Sequence, residues 1–91
     1  MTAAPDAVTN NPLRVFITGA SSGIGVALAH HYARQGAILG LVARRAALLQ
    51  QTSDKISTKT YAYVADVRDV AAMAQAARSF MTDAGLPDIV I

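Results

Sequence analysis

A glycine-rich turn between an apolar run and a helix-patterned segment constrains this chain more than any other feature. The turn spans residues 18–25, with the sequence TGASSGIG, and it follows the apolar run 13–17. Its three glycines let the backbone approach a ligand without Cβ clashes. The first-turn N–H groups of the following helix and the positive end of its dipole converge on the same point. The sequence therefore predicts a strand-turn-helix unit that binds an anion at the N-terminus of its helix. A diphosphate is the anion that fits best.

Apolar runs and helix-patterned segments alternate along the rest of the chain. A composition of 53% hydrophobic and 15% charged residues is typical of an α/β interior and not of a disordered chain. Short connections between alternating strands and helices predict right-handed crossovers and a parallel sheet. We expect a partial Rossmann-type α/β fold, β-α-β-α-β-α-β with strand order 3-2-1-4. The expected strands are 13–17, 37–42, 60–64 and 87–91, and the expected helices begin near residues 24, 45 and 70.

Helical spacing of apolar residues predicts which face of each helix is buried. Gly36 and Gly85 are the expected ends of the first and third helices. The third helix carries the clearest stripe, at intervals of three and four residues. The predicted core positions are Ile24, Ala27, Leu28 and Tyr32 in the first helix, Leu48 and Leu49 in the second, and Val70, Met73, Ala74, Ala77, Phe80 and Met81 in the third.

Charge and residue usage exclude several function classes. The net charge is +2, and the eight Lys and Arg residues are scattered along the chain, which argues against a nucleic-acid partner. Without Cys, the chain can form neither disulfides nor thiolate metal sites, and we predict no metal site. The longest apolar stretch, 37–43, is far short of the roughly 20 residues that a membrane span needs. We expect no membrane span and a cytoplasmic location.

The length of 91 residues allows one small domain at most. Residues 1–11 lack the basic and apolar regions of a signal peptide, and we expect a disordered N-terminal tail there. Residues 12–91 are expected to form a partial NAD(P)-binding domain that is truncated in its fourth strand.

The spacing Thr-Gly-x-x-x-Gly-x-Gly after a first strand resembles the cofactor motif of the classical branch of the short-chain dehydrogenase/reductase family. Asp66-Val67 after the third strand and the run 87–91 strengthen the resemblance, which covers about the first third of a family member. The resemblance implies a nicotinamide dinucleotide cofactor. The cofactor-binding residues that we infer are Gly19, Ser21, Ser22, Gly23, Ile24, Gly25, Arg44, Asp66 and Val67.

The end of the second strand indicates which dinucleotide is bound. Dinucleotide folds place an acid about 20 residues after the glycine turn to hold the ribose 2′-OH, or an Arg nearby to receive a 2′-phosphate. Here Ala43 stands where NAD-preferring relatives carry Asp, and Arg44 follows it. We therefore predict that NADP(H) is preferred over NAD(H). The alternative is that Arg44 and Arg45 simply begin a solvated helix, and for Arg45 we favour it.

By the same resemblance, the Asp66 carboxylate accepts a hydrogen bond from the adenine amino group, and the Val67 backbone bonds the ring. The alternative is that Asp66 only satisfies N–H groups near the start of the third helix, and the two roles are compatible. Thr18 resembles a family threonine whose role is structural.

The turn also matches G-x-S-x-G, the nucleophile elbow of α/β-hydrolases, with Ser21 as the nucleophile. That elbow needs a later acid and His. The two histidines, His30 and His31, lie on the helix that leaves the turn and cannot fold back onto Ser21. The hydrolase is therefore the less favoured interpretation.

The family's catalytic residues are missing from the sequence. No Tyr is followed four residues later by Lys, so we predict no catalytic residue within this chain. The resemblance implies the N-terminal part of an NADP(H)-preferring oxidoreductase for a carbonyl or alcohol. The complete protein is expected to take a small-molecule substrate and to be a homo-oligomer. The alternative is a non-catalytic nucleotide-binding or interaction module.

Overall fold

The computed structural model of the protein describes residues 12–91, and the predicted disordered tail 1–11 lies outside the described residues. Strands and helices alternate as the sequence predicts. The seven elements are β1 (Arg14–Thr18), α1 (Gly23–Ala33), β2 (Ile38–Ala43), α2 (Ala46–Asp54), β3 (Thr60–Val64), α3 (Val70–Ala84) and β4 (Ile89–Val90).

The four strands form one parallel sheet in the order β3-β2-β1-β4. The predicted Rossmann-type fold and strand order are thereby confirmed. Strand β4 is shorter than the predicted 87–91 run. Main-chain hydrogen bonds to β1 still extend beyond both ends of β4, from the Asp88 N–H to the Arg14 carbonyl at 2.7 Å and from the Ile91 N–H to the Phe16 carbonyl at 2.9 Å. The Asp88 side chain also accepts a hydrogen bond from the Arg14 N–H at 2.8 Å.

Helices α1 and α2 cover one face of the sheet. The core on this face is built from strand residues such as Val15, Ile17, Leu39 and Leu41, together with Ala29 of α1 and Leu49 of α2. These apolar side chains are excluded from water almost completely. The burial of this cluster holds both helices on the sheet.

Three core positions that we predicted on this face are wrong. Ile24 is 79% exposed, Ala27 is also exposed, and Leu48 is 36% exposed. In α1 the predicted Leu28 and Tyr32 do pack in this core, beside Ala29 and Ala33. The rotation of α1 explains the exposure of Ile24, because Gly25 lies against the glycine turn and its neighbour Ile24 therefore faces outward.

Helix α3 covers the opposite face. Phe80 and Ala76 of this helix pack against Phe16, Val42 and Ala65. The predicted core positions Met73, Ala77 and Phe80 do pack in this cluster.

Two other predicted positions of α3 are wrong, because Val70 is 80% exposed and Met81 is 39% exposed. Ala76 and Ala84 belong to the cluster instead. The contact between Phe80 and the sheet sets the rotation of α3. The buried face of the helix is therefore turned by about one residue from the face that the spacing predicted.

A glycine in the middle of the sheet makes room for that contact. Tyr61, Gly40 and Phe16 are register partners across β3, β2 and β1, so they share a face. The Phe80 ring lies over this row, with its centroid 5.4 Å from that of Phe16 and 6.4 Å from that of Tyr61. A Cβ on residue 40 would lie 2.5 and 2.8 Å from two Phe80 ring carbons. Only glycine leaves the space that the ring fills.

Within residues 12–91, none of the helices has the length and apolar character needed to cross a lipid bilayer.

We expect Gly40→Val to destabilise the protein by about 1–3 kcal/mol, because the added methyl groups overpack the site that the Phe80 ring occupies. Urea unfolding of the complete protein measures the effect. Ala62→Val introduces the same side chain at an exposed position of β3 and serves as the matched control. Equal stability of the Gly40 variant and its control would contradict this account of the core.

Candidate functional site

The glycine turn reverses the chain between β1 and α1 by means of two left-handed residues. Gly19 has φ +66° and Gly23 has φ +47°. Residues other than glycine rarely adopt this backbone conformation. No atom lies within 4 Å of a Cβ built on either residue, so the backbone at both positions borders open space.

The third glycine of the turn has a different role. A Cβ on Gly25 would overlap the carbonyl oxygen of Gly19 and would also lie 3.1 Å from the Cα of Ala20. The bare Cα at residue 25 therefore lets α1 begin in contact with the turn.

The first turn of α1 offers free N–H donors to this open space. Ser22 is the N-cap residue, and its side chain makes no capping hydrogen bond. The first turn also carries no acidic residue that could neutralise the positive end of the helix dipole. The Gly25 N–H donates to the Ser22 carbonyl at 3.1 Å. The N–H groups of Gly23 and Ile24 precede the first helical hydrogen bond, so they remain available to an anion.

Two neighbouring strands hold the turn in place. The Ala20 N–H donates to the Val42 carbonyl at 3.0 Å, which joins the turn to β2. On the other side, the Ile91 carbonyl accepts from both the N–H and the hydroxyl of Thr18, at 2.9 and 3.0 Å. Thr18 thus ties β1 to the chain beyond β4, in agreement with the structural role that the sequence suggested.

An open cleft of about 550 Å³ lies where the carboxyl ends of β1, β2 and β3 meet. Six of the nine predicted site residues line it: Gly19, Ser21, Ser22, Arg44, Asp66 and Val67. Gly23, Ile24 and Gly25 do not line it, since they belong to α1 behind the turn. The sequence interpretation missed Arg45, Leu48 and Arg68, together with Ala43 and Ala65, as lining residues.

The missed residues carried only weak signals in the sequence. Arg45 was assigned to a solvated helix start, and it is indeed the N-cap residue of α2. Leu48 was assigned to the core by its spacing. Arg68 had a usable signal, because it follows Asp66 by two residues and an extended or turn backbone brings such side chains together.

The Asp66 carboxylate is the main electrostatic feature of the cleft. Its Oδ1 accepts from the main-chain N–H of Arg68 at 2.9 Å and from the Arg68 Nε at 3.1 Å, while its Oδ2 accepts from Arg68 Nη2 at 2.8 Å. Arg44 Nη1 lies 3.9 Å from the same Oδ2. The hydrogen bonds from the Arg68 side chain, followed by that from its backbone, hold the pKa of Asp66 well below its usual range. Asp66 is therefore ionised at neutral pH.

The cleft offers no hydrolase constellation to Ser21. No histidine is among the lining residues. His31 lies along α1, where its Nε2 is 3.0 Å from the Gln35 amide and its ring packs edge-on against Tyr32. Within residues 12–91, the nucleophile-elbow interpretation has no base to support it.

A sequence profile described as short chain dehydrogenase matches residues 14–91. The 3-dehydrosphinganine reductase TSC10A of Arabidopsis thaliana is 40% identical over 80 residues, which cover 84% of this chain and 23% of that protein.

Solved structures show the same likeness. The 3-ketoacyl-(acyl-carrier-protein) reductase of Brucella melitensis, complexed with NADH, superimposes with a TM-score of 0.81 at 29% identity and covers 86% of this chain and 32% of that one. The L-sorbose reductase of Gluconobacter frateurii, complexed with NADPH and L-sorbose, has a TM-score of 0.81 at 28% identity and covers 92% and 34%. This chain thus spans about a quarter of its curated relative and a third of these two structures.

We expect Gly25→Ala to weaken dinucleotide binding about tenfold or more, because the added methyl group overlaps the Gly19 carbonyl and pushes α1 away from the turn, at a cost of about 1–3 kcal/mol. Fluorescence titration of the complete protein with NADPH measures the loss. Ala27→Leu adds volume at an exposed position of the same helix and should bind as the wild type does. Unchanged affinity in the Gly25 variant would rule out this role for the contact.

We also expect the Arg68 hydrogen bonds to make a pH-dependent contribution to stability. The pKa of Asp66 is lowered in the folded protein, so its ionised form stabilises the fold above its unfolded pKa of about 3.9, and this contribution is lost as the pH falls through the folded pKa. Arg68→Gln should therefore lower stability at pH 7 and have less effect near pH 3. Urea unfolding at both pH values, with Arg78→Gln on α3 as control, tests this. A loss of stability in Arg68→Gln that is equal at pH 7 and pH 3 would contradict this role of the Arg68 hydrogen bonds.

Proposed function

This chain belongs to the short-chain dehydrogenase family, and from that premise we propose that it is the N-terminal cofactor-binding part of an oxidoreductase that prefers NADP(H) and acts on a carbonyl or alcohol substrate. The observation that carries the proposal is one cleft lined both by the glycine turn that leads into the N-terminus of α1 and by an exposed guanidinium, that of Arg44. The residues of the cleft fit an adenosine dinucleotide in shape and in charge.

The glycine turn is the proposed diphosphate site. Gly19, Ser21 and Ser22 face the cleft, and the N–H groups of Gly23 and Ile24 begin α1 next to them. The left-handed glycines leave their surface open, and the close fit of Gly25 keeps the helix terminus near the ligand. Backbone donors and the helix dipole together favour a doubly charged group at this point.

Arg44 is the proposed 2′-phosphate ligand. Its side chain is 60% exposed and lines the cleft immediately after β2. The preceding position holds Ala43, so no acid is present there to bond a ribose 2′-OH or to repel a phosphate. The N-terminus of α2 is the positive end of its dipole, so it does not stabilise a cation. A planar guanidinium matches a phosphate well, which favours the phosphate role for Arg44.

Asp66 and Val67 are the proposed adenine ligands. Both line the cleft directly after β3, next to Ala65. An ionised carboxylate is an acceptor for an amino group such as that of adenine. The exposed Val67 side chain adds apolar surface to this part of the cleft.

A bound nicotinamide dinucleotide would donate a hydride to a carbonyl substrate or accept one from an alcohol. The present residues bind and orient the cofactor. No Tyr in the sequence is followed four residues later by Lys, so the proton donor that the family uses is not encoded in this chain. The carbonyl or alcohol substrate, the homo-oligomer and the cytoplasmic location stay predictions.

We expect the complete protein to bind NADPH about one to two decades more tightly than NADH, because a charge-assisted hydrogen bond from Arg44 to the 2′-phosphate contributes roughly 1.5–3 kcal/mol. Titration with both cofactors measures the ratio. Arg44→Ala should remove most of the preference, and Ala43→Asp combined with Arg44→Ala should shift it toward NADH.

Arg34→Ala, which removes an exposed Arg near the end of α1, is the matched control and should retain the wild-type ratio. Equal or tighter binding of NADH by the wild type would overturn the proposed preference.

A further inference from the structure

We propose that Arg68 is a specificity-determining residue that acts through Asp66: it occupies the Asp66 carboxylate and so leaves the neighbouring Arg44 free to bind the 2′-phosphate. The inference rests on the proposed function, because it concerns how that cofactor preference is maintained. Arg68 is a positioning residue in this account and has no contact with the phosphate itself.

Asp66 lies between two arginines of the cleft. Arg44 Nη1 is 3.9 Å from Asp66 Oδ2, and Arg68 Nη2 is 2.8 Å from the same oxygen. One negative charge is thus shared by two positive charges, and this group of three side chains carries a net charge of +1. Whichever arginine holds the carboxylate leaves the other as the free cation.

Arg68 holds the carboxylate in this structure. It donates to Asp66 from its main-chain N–H, from Nε and from Nη2, so both oxygens are occupied. The two residues are separated by a single position, and the main-chain bond closes a local turn that keeps the side chains together. Arg44, in contrast, makes no hydrogen bond with any residue between 12 and 91, and 60% of its side chain is exposed.

Without Arg68, the nearest cation to the carboxylate is Arg44. Arginine and carboxylate groups form bidentate pairs readily, and Arg44 needs to move by only about 1 Å to reach hydrogen-bond distance of Asp66. A paired Arg44 offers fewer donors to a phosphate. The uncompensated carboxylate also repels the phosphate dianion at short range. Both effects weaken binding of the 2′-phosphate, whereas any change in the adenine contact of Asp66 is common to NADP(H) and NAD(H) and cancels in the ratio of their affinities.

The test uses the adenosine ends of the two cofactors as probes. Adenosine 2′,5′-bisphosphate carries the 2′-phosphate, and adenosine 5′-monophosphate lacks it. Calorimetric titration of the complete protein with each probe gives a binding ratio that needs no catalysis. We expect Arg68→Gln to lower this ratio about fivefold, a charge-pair effect of the size seen at partly exposed sites. Thermal denaturation of each variant verifies that it is folded.

A double-mutant cycle identifies the route of the effect. In the Asp66→Asn background no carboxylate remains to capture Arg44, so adding Arg68→Gln should leave the ratio unchanged. Arg45→Gln is the matched control, because Arg45 lines the same cleft without an ion pair to Asp66. Any effect of Arg45→Gln on the binding ratio should be the same in the wild-type protein and in the Asp66→Asn variant.

Two results would overturn the inference. A ratio that Arg68→Gln leaves unchanged would show that Asp66 does not compete for Arg44. A fivefold loss that persists in the Asp66→Asn background would show that Arg68 contacts the phosphate directly. Arg44→Ala separates this failure from that of the proposed function: if Arg44→Ala abolishes the preference and Arg68→Gln leaves the ratio unchanged, the proposed function stands and the inference falls. If the wild type binds both probes equally, both fall.

Discussion

The contact between Gly25 and the carbonyl of Gly19 is the constraint on which the site depends. A backbone-to-backbone approach this close tolerates no side chain, and it fixes both where α1 begins and how the helix is rotated. That rotation directs Leu28 and Ala29 into the core and leaves the N-terminal N–H groups beside the cleft. Packing of the first helix and presentation of the proposed anion site therefore both depend on one glycine.

A second close contact, between Phe80 and Gly40, has the same role on the other face of the sheet. The ring takes the volume that any other residue at position 40 would fill, and it aligns α3 across the middle of the sheet. The two contacts together orient one helix on each face. Because both depend on missing Cβ atoms, small residues in this chain carry structural information that hydrophobic patterns do not record.

The sequence was sufficient to predict the strand order and the six cleft residues that lie on the turn and at strand ends, because each rests on short-range spacing. Strand β3 has the predicted bounds, 60–64. Ile24 and Val70 were placed wrongly because their exposure depends on helix rotation. The contact of Gly25 with Gly19 sets that rotation in α1, and the contact of Phe80 with the distant Gly40 sets it in α3. Arg68 was missed for another reason. Its pairing with Asp66 across one intervening residue belongs to neither helical nor strand periodicity, so it follows only from the local turn geometry.

The hydrogen bonds from Thr18 to Ile91 also bear on the order in which the molecule folds. They close a chain segment of 73 residues, whereas the contacts within each βα unit are local. Loop-closure entropy delays such distant pairings, and a chain emerging from the ribosome forms its early helices first. The glycine turn is thus synthesised before the residue that tethers it, and the tether forms only after residue 91 has left the exit tunnel.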